Sequence, residues 1–383
     1  VAGDRVRIAY VIGELGKGGA EYQLYELVRG LDRTRFLPHV FVLSAGGYWA
    51  GPLRALGVEV DELPSVRSAE LARLVALRRA LGAFAPHVVH TVLWSGNAYG
   101  RLASIGLGIP VVVAAERNVI RRPRWQVMVE RTLDLVTDRY LVNAAAVVDE
   151  LTGPGGLPHA KMEVIPNGID LGGLPPFAIE RGEARRALGF DPQRRLVAQV
   201  GRLEPQKDYP TFLAAAARVA ARVADVDFLA VGEGALRAEL EAQAAQLGLA
   251  GRLRFTGLRH DVPALLGAVD VCVLASRYEG LPNVVIEAMS AGAVVVATDV
   301  GGTRDLVVPG ESGHLVRAGD VDALAAATLA ILGDAAQARA MALAARRRIE
   351  SGFTVEAMVR RTTAAYDDLL RRAGVGAGVL HAA

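Results

Sequence analysis

Cysteine is almost missing from this sequence: Cys272 is the single one among 383 residues. No internal disulfide is therefore open to the chain, and no Cys/His cluster has the spacing of a structural zinc site. The lone thiol sits in the apolar run Val271-Cys272-Val273-Leu274 and reads as a buried strand residue in a reducing compartment. Aromatic residues are also scarce, at 5% of the chain, so the core must be built from Ala, Val and Leu. Charge of one sign is not in excess either. Lys+Arg number 43 against 41 Asp+Glu, a formal net charge of +2, which gives no general reason for nucleic-acid binding. No uncharged apolar run reaches the ~18 residues that a membrane span needs. The first strand, Val6–Ile12, has no signal-peptide pattern ahead of it, so a cytosolic placement is expected.

What the sequence does have is a globular balance, 52% hydrophobic and 22% charged, and a length suited to two domains of ~100–200 residues each. Apolar strands alternate with helix-period segments from end to end, the pattern of α/β domains with parallel sheets. Strands are expected at Val6–Ile12, Pro38–Leu43, His87–Thr91, Val111–Ala115, Arg139–Val142 and Lys161–Ile165. A second series follows at Arg195–Val200, Asp227–Val231, Arg252–Thr256, Val269–Leu274, Val294–Thr298 and Gly313–Val316. Leu24, Leu27, Val28 and Leu31 have the spacing of one helix face. Between the two series, Pro166-Asn167-Gly168-Ile169-Asp170 and Gly172-Gly173-Leu174-Pro175-Pro176 are turn chemistry without an apolar period. The expected organisation is therefore 1–172 and 173–353 as two doubly wound, Rossmann-like domains facing across a cleft. A C-terminal helix over 354–374 and a Gly/Ala-rich tail over 375–383 complete it.

Three places have residues suited to chemistry. Gly13, Gly16, Gly18 and Gly19 separate the first strand from its helix. They let backbone amides approach a phosphate or sugar, or merely make a tight turn. They form neither a dinucleotide fingerprint, since Glu21 stands where the third glycine belongs, nor a phosphate-binding loop, since Gly18 follows Lys17. In the second series, Arg202 and Lys207 follow the strand Arg195–Val200 and are two cations suited to a diphosphate, or two solvated charges. The most informative stretch is Arg277-Tyr278-Glu279-Gly280-Leu281-Pro282-Asn283, leading into a helix that contains Glu287 and closes before Gly292. Two carboxylates converging beside amides suit the hydroxyls of a ribose or hexose. A helix-start Glu compensating the dipole explains one acid more easily than both.

Taken together, Glu279 and Glu287 in E-x7-E spacing, Arg202, Lys207, the Gly16–Gly19 loop and the Pro166–Asp170 linker resemble the retaining glycosyltransferases of family 4. The resemblance implies the GT-B fold and a nucleoside diphosphate sugar donor, with UDP favoured over GDP, and neither cofactor nor bound metal. It implies Arg202 and Lys207 at the donor diphosphate, Glu287 at the ribose hydroxyls and Glu279 at the donor hexose. Gly280, Leu281 and Pro282 would lie near the sugar or phosphate, and Gly232 and Leu258 would border the nucleobase. Gly16, Gly18 and Gly19 would join the donor site. On that view Glu279, Arg202 and Lys207 are the catalytic set.

One departure from the family pattern concerns the acceptor side. Where many relatives place a histidine after the Val111–Ala115 strand, this chain has Glu116-Arg117-Asn118, leaving His90, Arg117 and Asn118 as candidates. The strings Asp225-Val226-Asp227 and Asp320-Val321-Asp322 read as a turn and a helix cap rather than a metal site. Two alternatives stay open: a UDP-N-acetylglucosamine 2-epimerase-like enzyme, or a nucleotide-sugar-binding protein without activity. Arg117, Arg121, Arg122, Arg124 and Trp125, followed by Val127, Met128 and Leu133, suggest peripheral contact with anionic lipid and a glycan, lipid-linked or small-molecule acceptor. The plainer reading of that stretch is a solvated charged loop ahead of a core helix.

Overall fold

The structure, a computed structural model, describes residues 5–63, 70–118, 123–153, 156–172 and 181–375. It divides into two compact units, Val1–Gly168 together with Val355–Ala383, and Ile169–Thr354.

Unit 1 is built on seven parallel strands: β1 (Val6–Ile12), β2 (Phe36–Val42), β3 (Glu59–Glu62), β4 (Val88–Val92), β5 (Val111–Glu116), β6 (Arg139–Val142) and β7 (Met162–Val164). Their order is β3-β2-β1-β4-β5-β6-β7, so the winding reverses between β1 and β4. Between them run α1 (Gly19–Gly30), α2 (Ala50–Ala55), α3 (Glu70–Phe84), α4 (Leu93–Ser104), α5 (Arg124–Leu133) and α6 (Ala145–Thr152). Strand alternation feeds both faces. Ile8, Tyr10 and Ile12 pack with Leu24, Leu27 and Val28 of α1. Ala9 and Val11 pack with Leu77 and Leu81 of α3. The strand β3, Glu-Val-Asp-Glu, was not among the expected strands. It is a four-residue edge strand with only Val60 buried, and its acids protect an open edge.

Unit 2 repeats the plan with β8 (Arg195–Val200), β9 (Val226–Val231), β10 (Leu253–Gly257), β11 (Val271–Leu274), β12 (Val294–Thr298) and β13 (Gly313–Val316). The order β10-β9-β8-β11-β12-β13 puts its reversal between β8 and β11. Its helices are α7 (Gly182–Ala187), α8 (Tyr209–Ala220), α9 (Arg237–Gln246), α10 (Val262–Ala268), α11 (Asn283–Ala291), α12 (Thr303–Leu306), α13 (Val321–Gly333) and α14 (Ala335–Gly352). The last helix, α15 (Val355–Arg372), belongs to unit 1, where Met358, Ala365, Tyr366, Leu369 and Leu370 join the core with α1. Cys272 is buried in the middle of the unit 2 sheet, and burial pushes its thiol up to about 12. Among the described residues no single helix is long and apolar enough to cross a membrane.

Candidate active site

Parallel strands aim their C-terminal ends at one edge of a sheet, and ligands bind where the winding reverses. In unit 2 that place lies between the loops after β8 and β11, which are neighbours in the sheet. The loop after β8 passes through a single 3-10 turn, Pro205–Lys207, before α8 begins. Lys207 Nζ meets Glu279 Oε1 at 2.6 Å; the lysine is half-buried, 14% exposed, and the glutamate buried, 8% exposed. Ser276 Oγ donates to the same carboxylate oxygen at 2.6 Å. The two loops are stitched further, as Arg277 N donates to the Gln206 carbonyl and Gln206 Nε2 to the Tyr278 carbonyl, while Gln199 Nε2 of β8 ties its own loop through the Lys207 carbonyl. A cation and an acid drawn from loops 72 residues apart are thus held rigidly side by side. Arg202 stands on the same loop but reaches outward, 67% exposed and paired with Glu204 at 2.9 Å.

Pro282 is the N-cap of α11, and Gly292 closes the helix at φ 92°. This places Glu287 in the second turn, and Gly280, Leu281 and Pro282 are buried at its approach. Glu287 has no hydrogen-bond partner among the described residues, and burial pushes its carboxyl from the ordinary 4.5 up to about 7. In the folded chain it keeps a proton that the unfolded chain has already lost between those two values. Stability therefore falls as pH rises through that window. Glu287→Gln is expected to melt higher than wild type at pH 8 and to match it below pH 4.5, which thermal unfolding at both pH values checks.

Two glycines allow the loops to close, and one of them gave no signal in the reading of motifs. At Gly301, with φ +52°, an added Cβ would lie 1.8 Å from the Glu279 carbonyl oxygen. The next amide, Gly302 N, donates to the Gly280 carbonyl at 2.7 Å. Gly301→Ala must push the Glu279 loop outward, and a shift near 1 Å is expected to lower turnover at least about tenfold with the circular dichroism unchanged. The pair Gly301-Gly302 after an apolar strand was the clue available in the sequence. Gly232, at φ +138°, approaches Gly201 so closely that a Cβ would meet its carbonyl oxygen at 2.0 Å. Leu258 is 54% exposed. The D-x-D carboxylates are occupied otherwise: Asp225 pairs with Arg195, Asp227 with Arg194, Asp322 with Arg218, and Asp320 caps α13 through the Ala323 amide.

In unit 1 the reversal between β1 and β4 opens a cavity of about 510 Å³, bordered by Gly13, Glu14, Glu21, Ser44, Arg73 and Ser95. A Cβ on Gly13 would lie 2.1 Å from Ser95 Oγ, so only glycine leaves that hydroxyl its place. Leu93, on the same wall, holds φ +60°, a strained conformation of the kind kept at functional sites. Gly16, Gly18 and Gly19 lie at the end of β1, with Gly18 as N-cap of α1. Here one expectation is corrected. His90 does not face an open site: it is 2% exposed under α15, and its Nδ1 hydrogen-bonds the Tyr366 hydroxyl. Burial, with Arg117 nearby, holds its pKa down to about 3, so the ring stays neutral. Arg117 is also turned inward, donating to Asn167 Oδ1 at 2.6 Å, while Asn118 is exposed.

Two doubly wound parallel sheets are the architecture of the GT-B glycosyltransferases, and comparison with known proteins shows that class. Residues 17–172 match Glycosyltransferase Family 4 and residues 194–334 match Glycosyl transferases group 1. The chain belongs to this family of glycosyltransferases. It is 33% identical to a D-inositol 3-phosphate glycosyltransferase of Geodermatophilus obscurus over 86% of this chain and 77% of that one. It is 27% identical to the Escherichia coli UDP-Gal:alpha-D-GlcNAc-diphosphoundecaprenol alpha-1,3-galactosyltransferase, over 79% of this chain and 80% of the relative. Among solved structures, Anabaena HepE in complex with UDP-glucose superposes with a TM-score of 0.84 at 22% identity, over 95% of this chain and all of that one.

Proposed function

We propose that the chain is a retaining, metal-independent hexosyltransferase that uses a UDP-sugar and acts on a lipid-linked glycan precursor. The observation that supports this most is the Lys207–Glu279 pair at the reversal of unit 2, with Glu287 on the helix that follows the Glu279 loop. Lys207, with Arg202 on the same loop, meets the charge that grows on the leaving diphosphate, which is electrostatic catalysis. The first amides of α11 and its dipole favour the same anion. Glu279, oriented by Ser276, accepts a hydroxyl of the donor hexose, and Glu287 accepts those of the ribose. The acceptor oxygen bonds to the anomeric carbon on the face that the diphosphate leaves, and its proton passes to the departing phosphate oxygen.

The acceptor enters the unit 1 cavity, where Glu14, Ser44 and Ser95 offer partners for sugar hydroxyls. A UDP donor is supported by relatives named for, or solved with, UDP-sugars. A lipid-linked acceptor is supported by α5. On its outer face Trp125 and Met128 are 58% and 69% exposed, beside the exposed Arg124 and Arg131, while Glu130 and Leu133 anchor the inner face. Trp125 also meets Trp94 edge to face at 5.5 Å, next to Leu93 and Ser95 of the cavity wall. Arg121 and Arg122 lie outside the described residues, and the inward-turned Arg117 contributes nothing to this face.

A ligand panel tests the donor and vesicle sedimentation tests the surface. UDP is expected to raise the melting temperature more than GDP or ADP. Transfer should survive chelation, and the product's anomeric configuration should match the donor's. Pelleting with phosphatidylglycerol vesicles should be strong at low salt and lost in Trp125→Ala/Met128→Ala. An inverted product or loss of transfer in chelator ends the mechanistic reading, and no pelleting at low salt removes the membrane.

A further inference from the structure

At the opposite end of the unit 2 sheet from Lys207 and Glu279 lies a second cavity, of about 470 Å³. It is bordered by Arg195 at the start of β8, by Asp270 just before β11 and by Val294 at the start of β12, three strands whose far ends lead into the donor loops. Its apolar wall includes Ile331 and Leu332 at the end of α13. Its charged wall is Arg181, Arg195 and Arg339 against a single acid.

That acid is already satisfied. Asp270 accepts from Arg185 at 2.5 Å and from the Leu196 amide at 2.8 Å, and Arg181 stands 3.7 Å away. The arginines, in contrast, have donors left over. Arg181 gives Nη2 to the Gly292 carbonyl, and Arg195 gives its two terminal nitrogens to the Leu332 carbonyl and to Asp225. The buried Nε of each has no acceptor. Arg339, exposed on the second turn of α14, has no partner among the described residues. Three guanidiniums against one acid leave the cavity with an excess of positive charge, and Arg339 carries the part of it that no described residue offsets, which points to an anion.

We propose that this cavity is a second ligand site, distinct from the donor site, for a small amphipathic anion: a phosphate or carboxylate head on the arginines and an apolar body against Val294, Ile331 and Leu332. A volume of this size fits a compact organic molecule. The apolar wall disfavours a bare sugar phosphate, and the excess of arginine excludes a neutral ligand.

The test is calorimetric titration of the full chain, saturated with UDP, with phenyl phosphate, octanoate and inorganic phosphate. Phenyl phosphate or octanoate should bind with UDP in place, and whichever binds more tightly identifies the head group. Arg339→Ala should weaken that binding at least about tenfold. Arg339→Glu should abolish it, and both variants should melt as wild type because Arg339 is exposed and unpartnered. Ala338→Phe, which fills the cavity from α14, should exclude the organic probes. No binding of either probe, equal binding by Arg339→Glu, or displacement by UDP overturns the site. Inorganic phosphate binding as tightly as phenyl phosphate overturns the amphipathic ligand class.

Discussion

On the proposed mechanism, Lys207→Ala is expected to lower turnover by about a hundredfold, the loss of one charge-assisted contact to the leaving diphosphate in the transition state. The structure separates this from a folding defect. Removing Lys207 leaves Glu279, 8% exposed, with the Ser276 hydroxyl as its partner among the described residues, so the single variant should also melt earlier. Glu279→Gln in the Lys207→Ala background neutralises that buried charge and should restore the melting temperature without restoring turnover. Arg202→Ala, whose side chain is exposed and paired locally with Glu204, should cost turnover about tenfold and leave stability unchanged. Steady-state kinetics beside thermal unfolding checks all three. Recovery of turnover together with stability in the double variant would mean that Lys207 holds the loop and nothing more.

The largest effect on stability is expected at Arg101→Met. Arg101 is fully buried in α4 and donates to Glu130 of α5 at 2.7 Å, to the Asn97 carbonyl at 2.8 Å and to Thr137 and Tyr140. Its loss removes the guanidinium at 2.7 Å from the buried Glu130 carboxylate, at a cost of about 3–5 kcal/mol. For a unit of this size that lowers the melting temperature by about 10 °C. Replacing both partners, Arg101→Met/Glu130→Met, removes the buried carboxylate as well and should recover most of the loss. Because Glu130 lies on the inner face of α5, the single variant should also loosen the helix that bears Trp125 and Met128, seen as reduced pelleting with vesicles.

The alternation of apolar strand and amphipathic helix was enough to specify two parallel α/β sheets, because side-chain period is a local property that burial on both faces enforces. Twelve of the strands lie where apolar runs predict them. The thirteenth, β3, escapes because an edge strand keeps water on one side and its acids hide the pattern. The acid pair was legible for a similar reason: Glu279, Pro282, Glu287 and Gly292 lie within one loop and one helix, where spacing alone fixes geometry. Pairing over distance was not legible. Lys207 and Glu279 meet only because β8 and β11 are neighbours at the reversal of the sheet, and Gly301 is needed only because that loop passes over it. Likewise, β4 gives His90 a strand position, but α15 covers it and supplies the Tyr366 hydroxyl from 276 residues away. The sequence by itself determined which segments are strand, helix and loop, through local period and turn chemistry. Which charges face one another, and which are buried, was decided by strand order and helix packing, because Coulomb and desolvation energies depend on distances that only the folded chain sets.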